Sequence, residues 1–164
     1  MINIMFVCHG NICRSPMAEF ITKKIVADLG LSYDYNIVSR ALSPEEYGSP
    51  IYPPAARELN RHGVPYERRK ATLISRDEYE KFDVIAIMDD RNSRNIKRVL
   101  PEDKDGKIAK LLSFAGDAGD VFDPWYSGDF KAAYEDILKG CIGLLCKIDD
   151  RITREKIFAN SLHL

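Results

Sequence analysis

Five residues separate Cys8 from Arg14 in the stretch Cys8-His9-Gly10-Asn11-Ile12-Cys13-Arg14-Ser15, and Pro16 follows. A thiol and a guanidinium at this spacing can serve one phosphoryl group. The planar guanidinium fork binds two phosphate oxygens at once, and a thiolate held beside phosphorus is a nucleophile positioned for in-line attack. Gly10 and Asn11 tolerate left-handed backbone, so the N–H groups between cysteine and arginine can turn inward as an anion nest. Ser15 is a good N-cap and Pro16 suits the first helical position, so the loop feeds a helix N-terminus that also favours anions. That field and Arg14 would lower the pKa of Cys8, and Ser15 could donate its hydroxyl to the sulfur. Cys-x5-Arg alone occurs by chance in many proteins, a buried cysteine with a solvated arginine. The strand before it, the Gly and Asn inside it and the Ser-Pro after it favour a site.

Attack by the thiolate expels an alkoxide or phenolate, which needs a proton. The candidate donor is Asp123 in Asp123-Pro124-Trp125-Tyr126. Pro124 stiffens the loop. Trp125 and Tyr126 can flank an aromatic leaving group, and burial against them would help keep Asp123 protonated. Taken alone, the same residues describe a surface turn whose carboxylate caps the helix near Phe130.

These groups have to be held by a fold. Asn3 to Val7 reads as a buried strand, residues 8 to 15 as a loop, and Met17, Ile21, Ile25 and Leu29 as the stripe of a helix ended by Gly30. Further strands are predicted at Tyr35–Arg40, Asp83–Met88 and Ile108–Phe114. Helices are predicted at 55–62, 75–82, 91–99 and, as one long element, 130–157. Strands separated by helices imply a parallel sheet covered on both faces, a three-layer α/β fold. Ligands of such sheets sit beyond the carboxyl ends of the strands, where residues 8 to 15 lie.

The loop with its continuation Pro16-Met17-Ala18-Glu19, taken with Asp123-Pro124-Trp125-Tyr126, resembles the low-molecular-weight protein tyrosine phosphatases. The resemblance runs over essentially the whole chain, read as one domain, 1–164. It implies a four-stranded parallel sheet of doubly wound, flavodoxin-like type. It implies Cys8 as nucleophile, Arg14 as phosphate ligand, Ser15 as support for the sulfur and Asp123 as general acid. Asn11 is similar to the family asparagine that holds the loop in a strained shape, with Ser39 as its hydrogen-bond partner. The cysteine matching Cys13 traps the oxidised nucleophile in the family; a small core residue is the other reading. Arg69 and Thr72 stand where many members carry a His and an Arg, which puts that supporting contact in doubt. The loop around Glu46-Tyr47-Gly48 lies where the family has a variable pocket wall, with Tyr47 as the residue that would select substrates; a merely exposed tyrosine is the alternative. Relatives that look like phosphoarginine phosphatases carry Thr where this chain has Ile12. An aliphatic side chain there favours phosphotyrosine, unless Ile12 only packs the loop.

The rest of the sequence narrows the field. Of 164 residues, 24 are Lys or Arg and 25 are Asp or Glu, a net charge of −1 that removes the broad case for nucleic acid or an anionic membrane. No apolar run approaches the ~20 residues of a membrane helix, and Met1 to Cys8 lacks the features of a signal peptide, so the expected location is the cytosol. The pairs Cys8/Cys13 and Cys141/Cys146 do not suggest zinc, because five residues along a helix turn the second pair apart. His9 is placed at the mouth of the loop, His62 at a helix end, and His163 in no site. Asp90 is expected to cap a helix and Asp89 to join a network under the loop. The function expected is metal-free and cofactor-free hydrolysis of protein phosphotyrosine through a phosphocysteine, with inorganic phosphate as product. The rivals are a protein-arginine phosphatase or an arsenate reductase on the same fold, and a non-catalytic flavin- or phosphate-binding module.

Overall fold

The computed structural model describes residues 1–161 and residue 164. Four strands, β1 (Ile2–Cys8), β2 (Tyr35–Ala41), β3 (Val84–Ile87) and β4 (Ile108–Lys110), form one parallel sheet in the order β2-β1-β3-β4. β1 is buried from Ile4 onward, as a strand covered on both faces must be. Its side chains alternate between two cores. Ile4 and Phe6 join the core built on α1 (Arg14–Asp28) and the later helix α5 (Phe130–Ile148). Met5 and Val7 join Tyr79, Phe82, Ile96 and Leu100 on the opposite face. The layered α/β expectation therefore holds. Among the described residues no helix is long and apolar enough to cross a membrane.

Several boundaries differ from expectation. α1 begins at Arg14 with Cys13 in the cap position and no side-chain cap. Ser15 is inside the helix, its hydroxyl turned to Cys8 instead. α2 (Pro53–Arg61) starts earlier than expected because Pro53 and Pro54 occupy its opening positions. Asp89, not Asp90, caps α3 (Asp90–Ile96), accepting from the Asn92 N–H at 2.7 Å. The fourth strand stops at Lys110, and Leu111–Ala115 coil into a 3₁₀ turn. Leu111 and Leu112 are both buried, and two consecutive inward side chains suit a turn, not a pleat.

The predicted long helix is two: α5 and α6 (Arg154–Asn160), beyond the single turn α4 (Pro124–Ser127). Asp149 leaves the helix in extended conformation, and Thr153 caps α6 by accepting from the Lys156 N–H at 3.2 Å. Apolar spacing carries across this break, so it misled the sequence reading.

The carboxyl end of the sheet is where the chain converges. Cys8 closes β1, and just beyond β3 the Met88 carbonyl accepts from the Val121 N–H at 2.9 Å. That bond brings the segment carrying Asp123 across to the loop of residues 8 to 15.

Candidate active site

Asn11 is the only non-glycine residue with positive φ among those described, at 58°. Its side chain is fully buried and bonded at both ends. Oδ1 accepts from the Thr72 N–H at 3.0 Å and from the Arg69 guanidinium. Nδ2 donates to Ser15 Oγ at 2.8 Å and to Ser39 Oγ at 2.9 Å. Left-handed backbone is uncommon outside glycine, though Asn tolerates it best, and four polar contacts hold it here. Ser39 pairs with Asn11 as the resemblance implied. The contact that looked doubtful is made by Arg69, with Thr72 contributing its backbone.

Hydrogen-bond directions follow from this arrangement. Ser15 Oγ accepts from Asn11 and keeps its own proton free to point at Cys8 Sγ, 3.0 Å away. Ser39 Oγ likewise donates onward to Glu19 Oε1 at 2.6 Å. The sulfur and the Ser15 hydroxyl are thus in direct hydrogen-bond contact.

Arg14 is only 2% exposed. Its Nη1 donates to Asp89 Oδ2 and to the Val121 carbonyl, both at 2.7 Å, and Nη2 approaches Asp123 Oδ2 at 3.4 Å. Burial alone would push this guanidinium down. Cys8, Asp123 and Asp89 beside it outweigh that and hold it above its ordinary value. Asp89 sits under the loop as expected, and it also serves as the helix cap.

Asp123 caps α4, its Oδ1 accepting from the Trp125 N–H at 3.1 Å. Its side chain remains 25% exposed. Trp125 and Tyr126 are themselves exposed; they flank the cavity and do not bury Asp123, contrary to expectation. Trp125 is steadied by the Tyr52 ring, with centroids 4.9 Å apart.

Cys8, His9, Gly10, Ile12, Cys13, Arg14, Asp123, Trp125 and Tyr126 line one cavity of about 140 Å³. Tyr47 does not line it and is 72% exposed. Glu45 and Glu46 form that wall. Glu45 meets His9 Nε2 at 3.2 Å, and a Cβ on Gly10 would come within 3.5 Å of Glu46 Cγ. The resemblance placed the pocket wall at this loop but pointed to Tyr47, one residue past the glutamates that line the cavity. Glu19 was missed as part of the site because its contact with Ser39 crosses 20 residues of chain, and Arg69, whose supporting contact was in doubt, reaches Asn11 across 58.

All four cysteines are free thiols. Burial first, then the nearby negative charges of Cys8 and Asp123, push the Cys13 thiol far up. Burial also raises Cys141, to about 12; it sits in the core, while Cys146 is half-buried. His62 stacks on Tyr134 at 3.8 Å, away from the cavity, and His163 lies outside the described residues.

Comparison with known proteins places this geometry. The sequence profile of the family described as low molecular weight phosphotyrosine protein phosphatase matches residues 3–156. The low molecular weight protein-tyrosine-phosphatase PtpA of Staphylococcus aureus is 36% identical over 146 residues, 88% of this chain and 92% of that protein. The crystal structure of YfkJ from Bacillus subtilis superposes with a TM-score of 0.88 at 32% identity, covering 93% of this chain and 98% of that one. SP-PTP, the low molecular weight protein tyrosine phosphatase of Streptococcus pyogenes, gives a TM-score of 0.82 at 35% identity over 98% of this chain and 99% of that one. A profile spanning nearly the whole chain, with the same fold in relatives at about one-third identity, makes this chain a member of the low molecular weight protein tyrosine phosphatase family.

Proposed function

We propose that the enzyme hydrolyses phosphotyrosine in proteins through a phosphocysteine intermediate. The observation that carries this reading is the convergence of Cys8, Arg14 and Asp123 on one cavity. Nη1 of Arg14 is anchored by Asp89 and the Val121 carbonyl, which leaves Nε and Nη2 for two phosphate oxygens. The inward N–H groups of the loop bind the others. Cys8 Sγ attacks phosphorus, the bond to the tyrosyl oxygen breaks, and the Asp123 carboxyl gives that oxygen its proton. Water then attacks the phosphocysteine, Asp123 takes the proton back, and the P–S bond breaks to release inorganic phosphate and the thiolate.

Ile12, Trp125 and Tyr126 around the cavity suit a phenyl ring. A phosphoarginine leaving group would find no hydrogen-bonding partner in Ile12, a mismatch of roughly 1–3 kcal/mol for desolvated N–H groups. An arsenate reductase needs redox cysteines near the thiolate, and the segment following residue 80 has none before Cys141. Cys141 is instead enclosed in α5.

The deciding variant is Cys8→Ser. It should abolish turnover of p-nitrophenyl phosphate while calorimetry still detects inorganic phosphate binding, because the cradle is made by Arg14 and backbone N–H groups. Wild-type turnover in this variant would overturn the mechanism. For the unaltered enzyme, kcat/KM should be higher on a phosphotyrosine peptide than on a phosphoarginine peptide, and the reverse order would overturn the substrate class.

A further inference from the structure

A second groove adjoins the catalytic cavity, and His9 lines both. Its space, about 250 Å³, is bounded further by Leu42, Pro44, Asn95, Arg98 and Val99. The segment carrying Leu42 and Pro44 is tied to the catalytic loop through the backbone. The Leu42 N–H donates to the Cys8 carbonyl and the Ser43 N–H to the His9 carbonyl, both at 3.0 Å. The groove therefore keeps a fixed place relative to the nucleophile.

The walls of the two cavities differ in charge. Glu45 and Glu46 line the catalytic one and not the groove, and Glu45 meets His9 Nε2 at 3.2 Å. Beyond His9 the charged group is Arg98. It belongs to a basic run, Arg91, Arg94, Lys97 and Arg98, on and just after α3. The carboxylates at the head of that helix are already engaged, Asp89 by Arg14 at 2.7 Å and Asp90 by Lys110 at 2.9 Å. Among the described residues none of the four cations has a carboxylate within ion-pair reach, and no hydrogen bond engages the Asn95 amide. In a chain of net charge −1 this is a local excess of positive charge beside the catalytic mouth.

We propose that this groove is a subsite for an acidic side chain of the protein substrate, with Arg98 as the specificity-determining residue that recognises its carboxylate. The proposal rests on the phosphotyrosine reading of the catalytic cavity. A guanidinium fork matches a carboxylate bidentately, and the Asn95 amide is a further donor beside it. Leu42, Pro44 and Val99 give the methylene stem of a Glu an apolar surface to lie on. An extended peptide advances ~3.3 Å per residue, so the acidic residue stands within about three positions of the phosphotyrosine.

Arg98 does not line the catalytic cavity, and Arg91, Arg94 and Lys97 do not line the groove. Substitutions at these positions therefore separate a contact in the groove from the diffuse field of the basic run. Arg98 is exposed, and ion pairs at exposed positions are weak and screened by salt. The expected preference is accordingly modest and sensitive to ionic strength.

The test is kcat/KM on pairs of phosphotyrosine peptides that carry either Glu or its isostere Gln at one position, scanned over the residues flanking the phosphotyrosine on both sides. The proteins compared are the wild type, Arg98→Gln, Arg98→Glu and Lys97→Gln. The Glu-to-Gln ratio cancels any general change in folding or chemistry. At one or more positions the wild type should favour Glu by about three- to fivefold at low ionic strength, through KM, and the preference should fade in high salt. The ratio should fall to about one in Arg98→Gln, reverse in Arg98→Glu and persist in Lys97→Gln. A ratio near one at every position in the wild type, or one that Arg98→Gln leaves unchanged, would overturn the subsite. An equal loss in Lys97→Gln would overturn the assignment to this groove and leave only a general field. No turnover of any phosphotyrosine peptide would overturn the substrate reading and the subsite with it, whereas turnover with a flat ratio overturns the subsite alone.

Discussion

Asp123 is fixed by two unlike contacts, the Trp125 N–H at 3.1 Å on one oxygen and the Arg14 guanidinium at 3.4 Å on the other. The first belongs to the α4 cap and survives substitution by Asn with little change. The second faces the cavity, where the expelled oxygen would emerge. Asp123→Asn should therefore preserve the loop and remove only the proton donor. The cost should follow the leaving group: ~10²–10⁴-fold for phosphotyrosine, and much less for an aryl phosphate whose phenol is already acidic. Rates measured across a series of substituted phenyl phosphates decide this, and equal losses along the series would move the acid elsewhere. Residues of this kind were legible in the sequence because their chemistry is local. Cys8, Arg14 and Ser15 are tied by one loop, and Asp-Pro-Trp-Tyr announces itself within four positions. Arg69 is different. Its contact with Asn11 spans 58 residues, and only the resemblance, not local chemistry, sets it apart from the adjacent Arg68 in the sequence. The pocket-wall loop was legible but the side chain that faces the cavity was not, since the place of Glu46 depends on how closely the Pro44–Glu46 turn packs on Gly10.

The elements that present the loop divide between those set by their own pattern and those set by neighbours. β1 and β3 were plain because a short apolar run can be buried on both faces in a parallel sheet. α1 was plain from Met17, Ile21 and Ile25, all of them fully buried. The end of β4 was not, because the pair Leu111 and Leu112 suits a turn only once α5 is there to receive both. That packing is close. A Cβ on Gly143 of α5 would stand 2.5 Å from the Phe114 carbonyl oxygen and 2.8 Å from its carbon. In an exposed helix, Gly→Ala stabilises by about 1 kcal/mol. Here the obstacle is backbone, which cannot rotate away, so overpacking outweighs propensity. Gly143→Ala should destabilise the protein by about 1–3 kcal/mol, seen as a lower urea midpoint with unchanged slope. A variant as stable as the wild type would mean that the Leu111–Ala115 turn yields easily. A Cβ on Gly140 would stand 2.5 Å from Leu111 Cγ, and its nearest backbone atom, the Leu111 carbonyl oxygen, would be at 3.1 Å, so the same substitution there should cost less.

At the scale of the molecule, the C-terminal end of the chain is pinned to the sheet at one carboxylate, on the far side of the break that the apolar spacing concealed. Asp149 accepts from the Tyr35 hydroxyl of β2 at 2.7 Å, from Arg151 Nε at 3.0 Å and from Arg151 Nη2 at 2.8 Å. Arg151 in turn reaches Asp34 at 2.8 Å, just before β2. The Arg151 guanidinium, and after it the Tyr35 hydroxyl, hold the Asp149 carboxyl well below the usual carboxylate range, against the opposing effect of burial. Its folded pKa is thus depressed relative to the unfolded chain, where an aspartate titrates near ~3.9. The stability it contributes is fully present above that value. It is lost as pH falls below about 4 and on towards the folded pKa, because the unfolded state then takes up the proton first. Asp149→Asn keeps the shape but removes the charge that Arg151 and Tyr35 donate to. At pH 7 the variant should be less stable by about 1–3 kcal/mol. Below pH 4 the difference should shrink, since the wild type is then losing the same interaction. Thermal melts of both proteins from pH 7 down to pH 3 measure it. A gap that stays constant across that range would mean that Asp149 acts through packing alone, with its charge contributing nothing to how the end of α5 is held to β2.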